Sequence, residues 1–181
     1  MSRKVLFISS SLRKSSNSEK LLKEVEKGVI ANNDYTEFIT LRDKDIRFCR
    51  GCMACQDTHR CVIEDDAPVL TEKIGEADVL VFATPVYYYG ISGQLKTLLD
   101  RCNPLYGSEY RFREVFLVTT SEDDSPSAAS GAIQAIKNWV SCFSEARFAG
   151  AFSGAGTGTE DLDTEKWEGL MDDAFLFGKE I

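Results

Sequence analysis

The chain has 181 residues, 43% of them apolar and 28% charged, which is the makeup of a globular domain long enough to bury a core. Lys and Arg number 21 against 29 Asp and Glu, and a formal charge of −8 works against nucleic acid as a partner. The longest apolar run, Val79 to Ala83, is far short of the ~20 residues that cross a bilayer, and no leader-like stretch follows Arg3 and Lys4, so a cytoplasmic protein without a membrane partner is expected.

Lys4 to Ile8 reads as a buried strand, followed by a polar loop and then a helix from Ser18, with Leu21, Leu22, Val25 and Val29 at helical spacing and Ser18 as its cap. The alternation returns with strands at Phe38 to Leu41, Asp78 to Ala83, Glu114 to Thr119 and Arg147 to Phe152. Helices are predicted at Ser92 to Cys102, where Ser92 caps, and near 127–144, where Ser125 caps and Pro126 opens the first turn. Trp167, Leu170, Met171, Ala174 and Phe175 give the last, acidic segment an apolar stripe, so it reads as an amphipathic helix with its aromatics in the core.

Five βα units with continuously apolar strands imply a doubly wound parallel sheet of order 2-1-3-4-5, with helices on both faces, and a single domain over 1–181. Such sheets bind ligands beyond the carboxyl ends of their strands, where strands 1 and 3 diverge. Both loops at that point are informative. Ser9 to Ser18 is rich in hydroxyls, carries Arg13 and Lys14, and ends at a helix N-terminus, which together make a cradle for an anion. It matches neither glycine-rich nucleotide fingerprint, so a phosphate monoester is the anion that remains; the other reading of these residues is a solvated serine-rich loop. After strand 3, Tyr87, Tyr88 and Tyr89 cannot all be core, because their hydroxyls need partners and neighbouring residues point apart. A phosphate cradle beside an aromatic platform suits a flat ring with a phosphate tail, the shape of flavin mononucleotide.

The two stretches Ser10-Ser-Leu-Arg-Lys-Ser-Ser-Asn-Ser18 and Thr84-Pro-Val-Tyr-Tyr-Tyr-Gly-Ile-Ser-Gly-Gln-Leu-Lys96 resemble the motifs of the NAD(P)H-dependent FMN reductase family, flavodoxin-like proteins whose pattern runs the length of this chain. The resemblance implies that Ser11, Arg13, Ser16, Asn17 and Ser18 surround the FMN phosphate. It implies too that Pro85, Val86, Tyr87, Tyr88, Tyr89 and Gly90 border the isoalloxazine ring, with Thr120, Ser121 and Glu122 closing a third side. The chain departs from the pattern at Ser10, where Gly is usual.

Four of the six cysteines crowd into the loop 48–62 as Cys49-x2-Cys52-x2-Cys55-x5-Cys61, a spacing that resembles iron–sulfur flavoproteins of the same broad family, where it holds a [4Fe–4S] cluster. Soft thiolates suit that chemistry; structural zinc, free thiols and a Cys52–Cys55 redox pair are the other readings. His59 reads as a loop residue, Cys102 and Cys142 as small buried thiols, and Asp65 and Asp66 as helix caps. The resemblance implies an oxidoreductase that takes hydride from NAD(P)H through FMN to a quinone, flavin, protein or iron–sulfur acceptor, in a homodimer or tetramer. No side chain is assigned a catalytic role, because the cofactor does the chemistry. The rival readings are a non-enzymatic FMN electron carrier and a thiol or metal sensor with an empty crevice.

Overall fold

The computed structural model describes residues 2–158 and 164–181. The five apolar runs form strands β1 (Lys4–Ser9), β2 (Tyr35–Thr40), β3 (Val79–Pro85), β4 (Glu114–Thr120) and β5 (Arg147–Gly154). They make one parallel sheet in the order β2-β1-β3-β4-β5, as the pattern of runs predicts. The register aligns Val5 with Thr36 and Val79, and Val79 with Glu114, so the strand ends come out level. Level ends put the loops after β1, β3, β4 and β5 along one edge of the sheet.

Helices cover both faces: α1 (Asn17–Ala31), α2 (Ala54–Thr58), α3 (Ala67–Glu76), α4 (Gly93–Arg101), α5 (Ser130–Val140) and α6 (Thr164–Glu180). The two-residue period of a strand divides the core. Leu6, Ile8, Leu80 and Phe82 pack with Leu70, Leu98 and Ile136 on one side, while Val5, Phe7, Val79 and Val81 pack with Leu22, Val25 and Ala174 on the other. Where α1 meets α6, a Cβ on Gly178 would lie 2.1 Å from the Val25 carbonyl oxygen, and one on Gly28 would lie 2.3 Å from that of Phe175. Glycine is what lets these helices touch backbone to backbone.

Several boundaries differ from the sequence reading. Ser16, not Ser18, caps α1, its hydroxyl accepting from the Glu19 N–H at 3.3 Å. Helix α5 starts at Ser130 rather than near 127, and Ser125 does not cap it. The Asp123 carboxylate takes the Ser125 N–H at 2.8 Å, and the chain runs on through turns in which the Ala128 and Ser130 N–H groups bond to the Ser125 and Ser127 carbonyls. Cys142 is exposed in the turn after α5, whereas Cys102 is buried as expected. Among the described residues no helix is long and apolar enough to cross a membrane.

Candidate functional site

The loop after β1 is tied down from below by its own hydroxyls. Ser9, Ser10 and Ser11 are buried, and Ser10 donates through its backbone N–H and its hydroxyl to the Ala83 carbonyl, both at 2.9 Å. The Ser92 hydroxyl donates to Ser10 Oγ at 2.8 Å. Ser10 has no positive φ, so the serine at this turn carries no left-handed strain and adds a link between the loops after β1 and β3. Ser18 is buried with its hydroxyl 2.9 Å from that of Ser16, and it supports the cradle rather than lining it.

The tyrosine loop is a two-residue turn closed by paired bonds, Tyr87 N–H to the Gly90 carbonyl and Gly90 N–H to the Tyr87 carbonyl, each 3.0 Å. Its central residues, Tyr88 and Tyr89, have φ of 49° and 62°. Positive φ costs a bulky residue ~1–3 kcal/mol, and glycine or asparagine is the ordinary occupant of such a turn. Tyr88 is fully exposed, while the Tyr89 hydroxyl donates to Asp123 Oδ2 at 3.1 Å, a bond that pushes the phenol's pKa up. Beneath the turn, a Cβ on Gly131 would come within 2.3 Å of the Tyr89 carbonyl oxygen, so the start of α5 must be glycine for the turn to sit there. The Val86 N–H is committed to the Thr120 carbonyl at 2.8 Å, which leaves Tyr88 and Tyr89 as the source of backbone donors at the tip.

Between these loops lies a cleft of about 120 Å³ lined by Ser11, Arg13, Ser16 and Asn17 from the first, Pro85, Val86 and Tyr87 from the second, and Thr120, Ser121 and Glu122 from the loop after β4. The structure thus brings together ten of the fourteen residues that the resemblance implied for FMN; Tyr88, Tyr89 and Gly90 stand at the tip outside the enclosed part, and Ser18 lies beneath it. Thr157 and Gly158, from the loop after β5, complete the wall and were not anticipated. Asn17 Nδ2 donates to the Thr157 carbonyl at 2.8 Å, Arg13 Nη1 to the Gly158 carbonyl at 3.2 Å, and Thr157 N–H to the Ser121 carbonyl at 2.8 Å. Their signal was the short Gly156-Thr157-Gly158 run that follows the last strand. Arg42, also unanticipated, donates to the Arg13 carbonyl at 2.6 Å and pairs with Glu19, bracing the cradle from the β2 side.

The cysteine segment is built differently. Cys49 and Cys52 are exposed, Cys55 and Cys61 half-buried, and all four are free thiols. Cys55 sits in α2, which begins after Met53 and ends at His59, both with positive φ; His59 is an exposed loop residue as expected. Two thiols receive N–H donors, Cys49 from Gly51 at 3.4 Å and Cys55 from Asn103 Nδ2 at 3.0 Å. Among the described residues no three His, Cys, Asp or Glu side chains converge closely enough to hold a metal ion. After the segment, Asp65 does more than cap: besides accepting from the Ala67 N–H at 3.0 Å, it meets a buried Arg101. Burial alone would raise its pKa, but the Arg101 fork and the Arg47 and Ala67 N–H groups hold it below the usual carboxylate range. Asp66 precedes α3 without capping it and instead accepts from the Asp45 N–H at 2.8 Å.

A larger cavity of about 870 Å³ opens between α3 and the segment 104–113. Two of its arginines are already engaged, Arg111 with Asp78 and Arg113 with backbone carbonyls, and it lies away from the level strand ends where the polar loops converge.

A model of the NADPH-dependent FMN reductase family matches residues 3–155. An iron–sulfur flavoprotein of Methanocaldococcus jannaschii is 40% identical over 102 residues, 56% of this chain and 53% of that one, so the match spans about half the length of that relative. Another, from Archaeoglobus fulgidus, is 32% identical over 140 residues, 76% of this chain and 72% of that one. Among solved structures, the NAD(P)H:quinone oxidoreductase of Methanothermobacter marburgensis superposes with a TM-score of 0.76 at 15% identity, covering 99% of this chain and 96% of that one. An azoreductase from Bacillus anthracis gives 0.75 at 18% identity with both chains covered in full. At such identities the superpositions show the shared flavodoxin-like fold. With a family model that spans most of its length, and with the Archaeoglobus relative covered over more than two thirds, the chain belongs to the NADPH-dependent FMN reductase family of flavodoxin-like oxidoreductases and is a relative of the iron–sulfur flavoproteins.

Proposed function

We propose that this chain is an FMN-dependent oxidoreductase that takes hydride from NAD(P)H and passes electrons to a small-molecule or protein acceptor. The observation that carries this reading is the meeting of the hydroxyl-rich cradle and the tyrosine turn at one cleft, where the strand order reverses. The enclosed volume of about 120 Å³ is well below the ~300 Å³ at which whole-ligand pockets begin, so it suits the phosphate end, with the ring on the open side against Pro85, Val86 and the tyrosines. Arg13 supplies a charge for the phosphate, and Ser11, Ser16 and Asn17 place hydroxyl and amide groups around the start of α1, whose dipole favours an anion, with Ser18 supporting Ser16 from beneath.

Bound there, FMN would accept a hydride and release electrons singly or in pairs. The protein's part is to hold the ring's edge against the loop after β4, through Thr120, Ser121 and Glu122, and to leave one face open for a nicotinamide. The left-handed backbone of Tyr88 and Tyr89 aims the turn's N–H groups and rings outward, and that strain is the sort a fold keeps where function needs it. The exposure of Tyr88 and Phe48 supports a homodimer or tetramer that covers them.

The same reading assigns Cys49, Cys52, Cys55 and Cys61 to a [4Fe–4S] cluster. The donor set fits: four thiols within 13 residues, N–H donors on two of them, and relatives named as iron–sulfur flavoproteins. Bound there, it would take or give one electron at a time. The sulfurs stand apart here, so binding would gather them.

Anaerobic titration of FMN-loaded protein with NADH and with NADPH tests the main reading. Bleaching of the flavin's visible absorbance by at least one of them is expected. A protein that holds FMN but is reduced by neither would be an electron carrier, and one that takes up no FMN would end the reading.

A further inference from the structure

Arg101 ends α4, a place where a cation usually reaches into solvent and complements the helix dipole. Here its side chain is fully buried, the bulkiest of the buried side chains. Nη1 donates to the Arg47 carbonyl at 2.7 Å and to Asp65 Oδ2 at 2.6 Å; Nη2 donates to Asp65 Oδ1 at 2.9 Å and to the Ile63 carbonyl at 3.4 Å. The Arg47 N–H also bonds to Asp65 at 2.9 Å. Arg47 lies just before the four-cysteine segment, and Ile63 and Asp65 lie just after it. One guanidinium therefore fastens both ends of that segment, and the Cys61 thiol is its neighbour.

Stability does not explain the arrangement. A buried ion pair is commonly no better than well-packed apolar side chains of the same volume, and Arg101 Nε is buried with no hydrogen-bond partner. The pair is neutral overall but fixed in orientation, with its guanidinium end beside Cys61 in a low-dielectric place where charges act strongly on one another. Arginine keeps its charge at any working pH and presents a rigid fork, which a lysine does not.

We infer that Arg101 is the positioning residue of the cysteine segment: it closes the loop 47–65 at its base and holds the guanidinium end of a buried ion pair beside Cys61, one of the four thiols that would carry negative charge on a [4Fe–4S] cluster. The inference rests on the cluster reading given above. A cluster gains negative charge when it takes up an electron, so the neighbouring cation favours the reduced form and raises the midpoint potential. Asn103, two residues beyond Arg101, donates to Cys55 and places a second donor from the same end of α4 against the array.

The test uses full-length protein reconstituted anaerobically with iron and sulfide, in wild type, in Arg101→Lys, and in Arg101→Gln combined with Asp65→Asn, which removes both charges and leaves neither unpaired. Iron, sulfide and FMN are counted per chain, and the cluster is titrated with dithionite while its electron paramagnetic resonance signal is followed. The charge-free pair is expected to load FMN as wild type does and to show a more negative cluster midpoint, with Arg101→Lys close to wild type. A loaded charge-free pair with the wild-type midpoint overturns the inference and leaves the cluster standing. Wild type that takes up neither iron nor sulfide overturns the cluster reading, and the inference with it. Should the charge-free pair fail to hold FMN, limited trypsin digestion of Arg101→Lys decides: cutting after Arg50 and Arg60 several-fold faster than in wild type is expected, and equal rates overturn the inference.

Discussion

The cleft at the strand ends and the cysteine segment are two answers to the problem of building a site from polar residues. At the cleft, four loops bond to one another: Ser92 to Ser10, Asn17 to Thr157, Thr157 to Ser121, Tyr89 to Asp123. The walls are in place before anything enters, and ordering them costs a ligand little. The cysteine segment is fastened at its base by Arg101, while its thiols stay exposed or half-buried and apart. A site of that kind is completed by what binds it, and its binding free energy is partly folding free energy.

That contrast can be broken in an ordered way. The largest effect is expected from Cys52→Ser: anaerobically reconstituted protein should lose nearly all its iron and acid-labile sulfide while its FMN content stays at the wild-type level. Joint loss of flavin would show that the two regions are not independent. Next is Arg13→Ala with Ser16→Ala, which removes charge-assisted and hydroxyl contacts to a phosphate, each of about 1.5–3 kcal/mol, and should weaken FMN binding by 10-fold or more, with roughly 1 kcal/mol of stability lost from the α1 cap. Equilibrium titration with FMN measures it; an unchanged affinity would remove the cradle from the assignment.

The smallest effect concerns the thiols outside both regions. Burial pushes the Cys102 thiol up to about 12, against 9.0 for an ordinary cysteine, although Thr71 lies at its sulfur. The folded state holds that proton where the unfolded state releases it, so stability from this group is intact below about pH 9 and declines as pH rises toward about 12. Native protein at pH 9 should be alkylated at exposed Cys142 within minutes and at Cys102 only after denaturant is added, as peptide mass mapping would show. Rapid native labelling of Cys102 would mean that the α3–α4 packing opens readily.

The sheet and its order were legible because the central strands are continuous apolar runs, and seven cleft residues were legible because they occupy two compact motifs, with Thr120, Ser121 and Glu122 following from the loop after β4. What escaped has particular causes. Ser125-Pro126 has the composition of a helix start, but Asp123 takes the Ser125 N–H first and delays α5 to the point where Gly131 admits Tyr89. Thr157 and Gly158 belong to the loop after β5, which has no motif of its own and is brought to the cleft only by sheet order. An arginine at a helix end reads as a solvated charge, and nothing in the residues around Arg101 reports that it is buried with Asp65.

Helix α4 is capped by Ser92, whose hydroxyl joins the two loops of the cleft, and ends at Arg101, at the base of the cysteine segment. Its nine residues rise about 14 Å and turn about 100° each, so its length is a gauge set between the two proposed sites. Insertion of one alanine within it would swing the guanidinium by more than a quarter revolution away from Asp65 while Ser92 kept its seat on Ser10. The spacing of this rod, more than any single side chain on it, is what natural variation must conserve if both ends are to operate in one molecule.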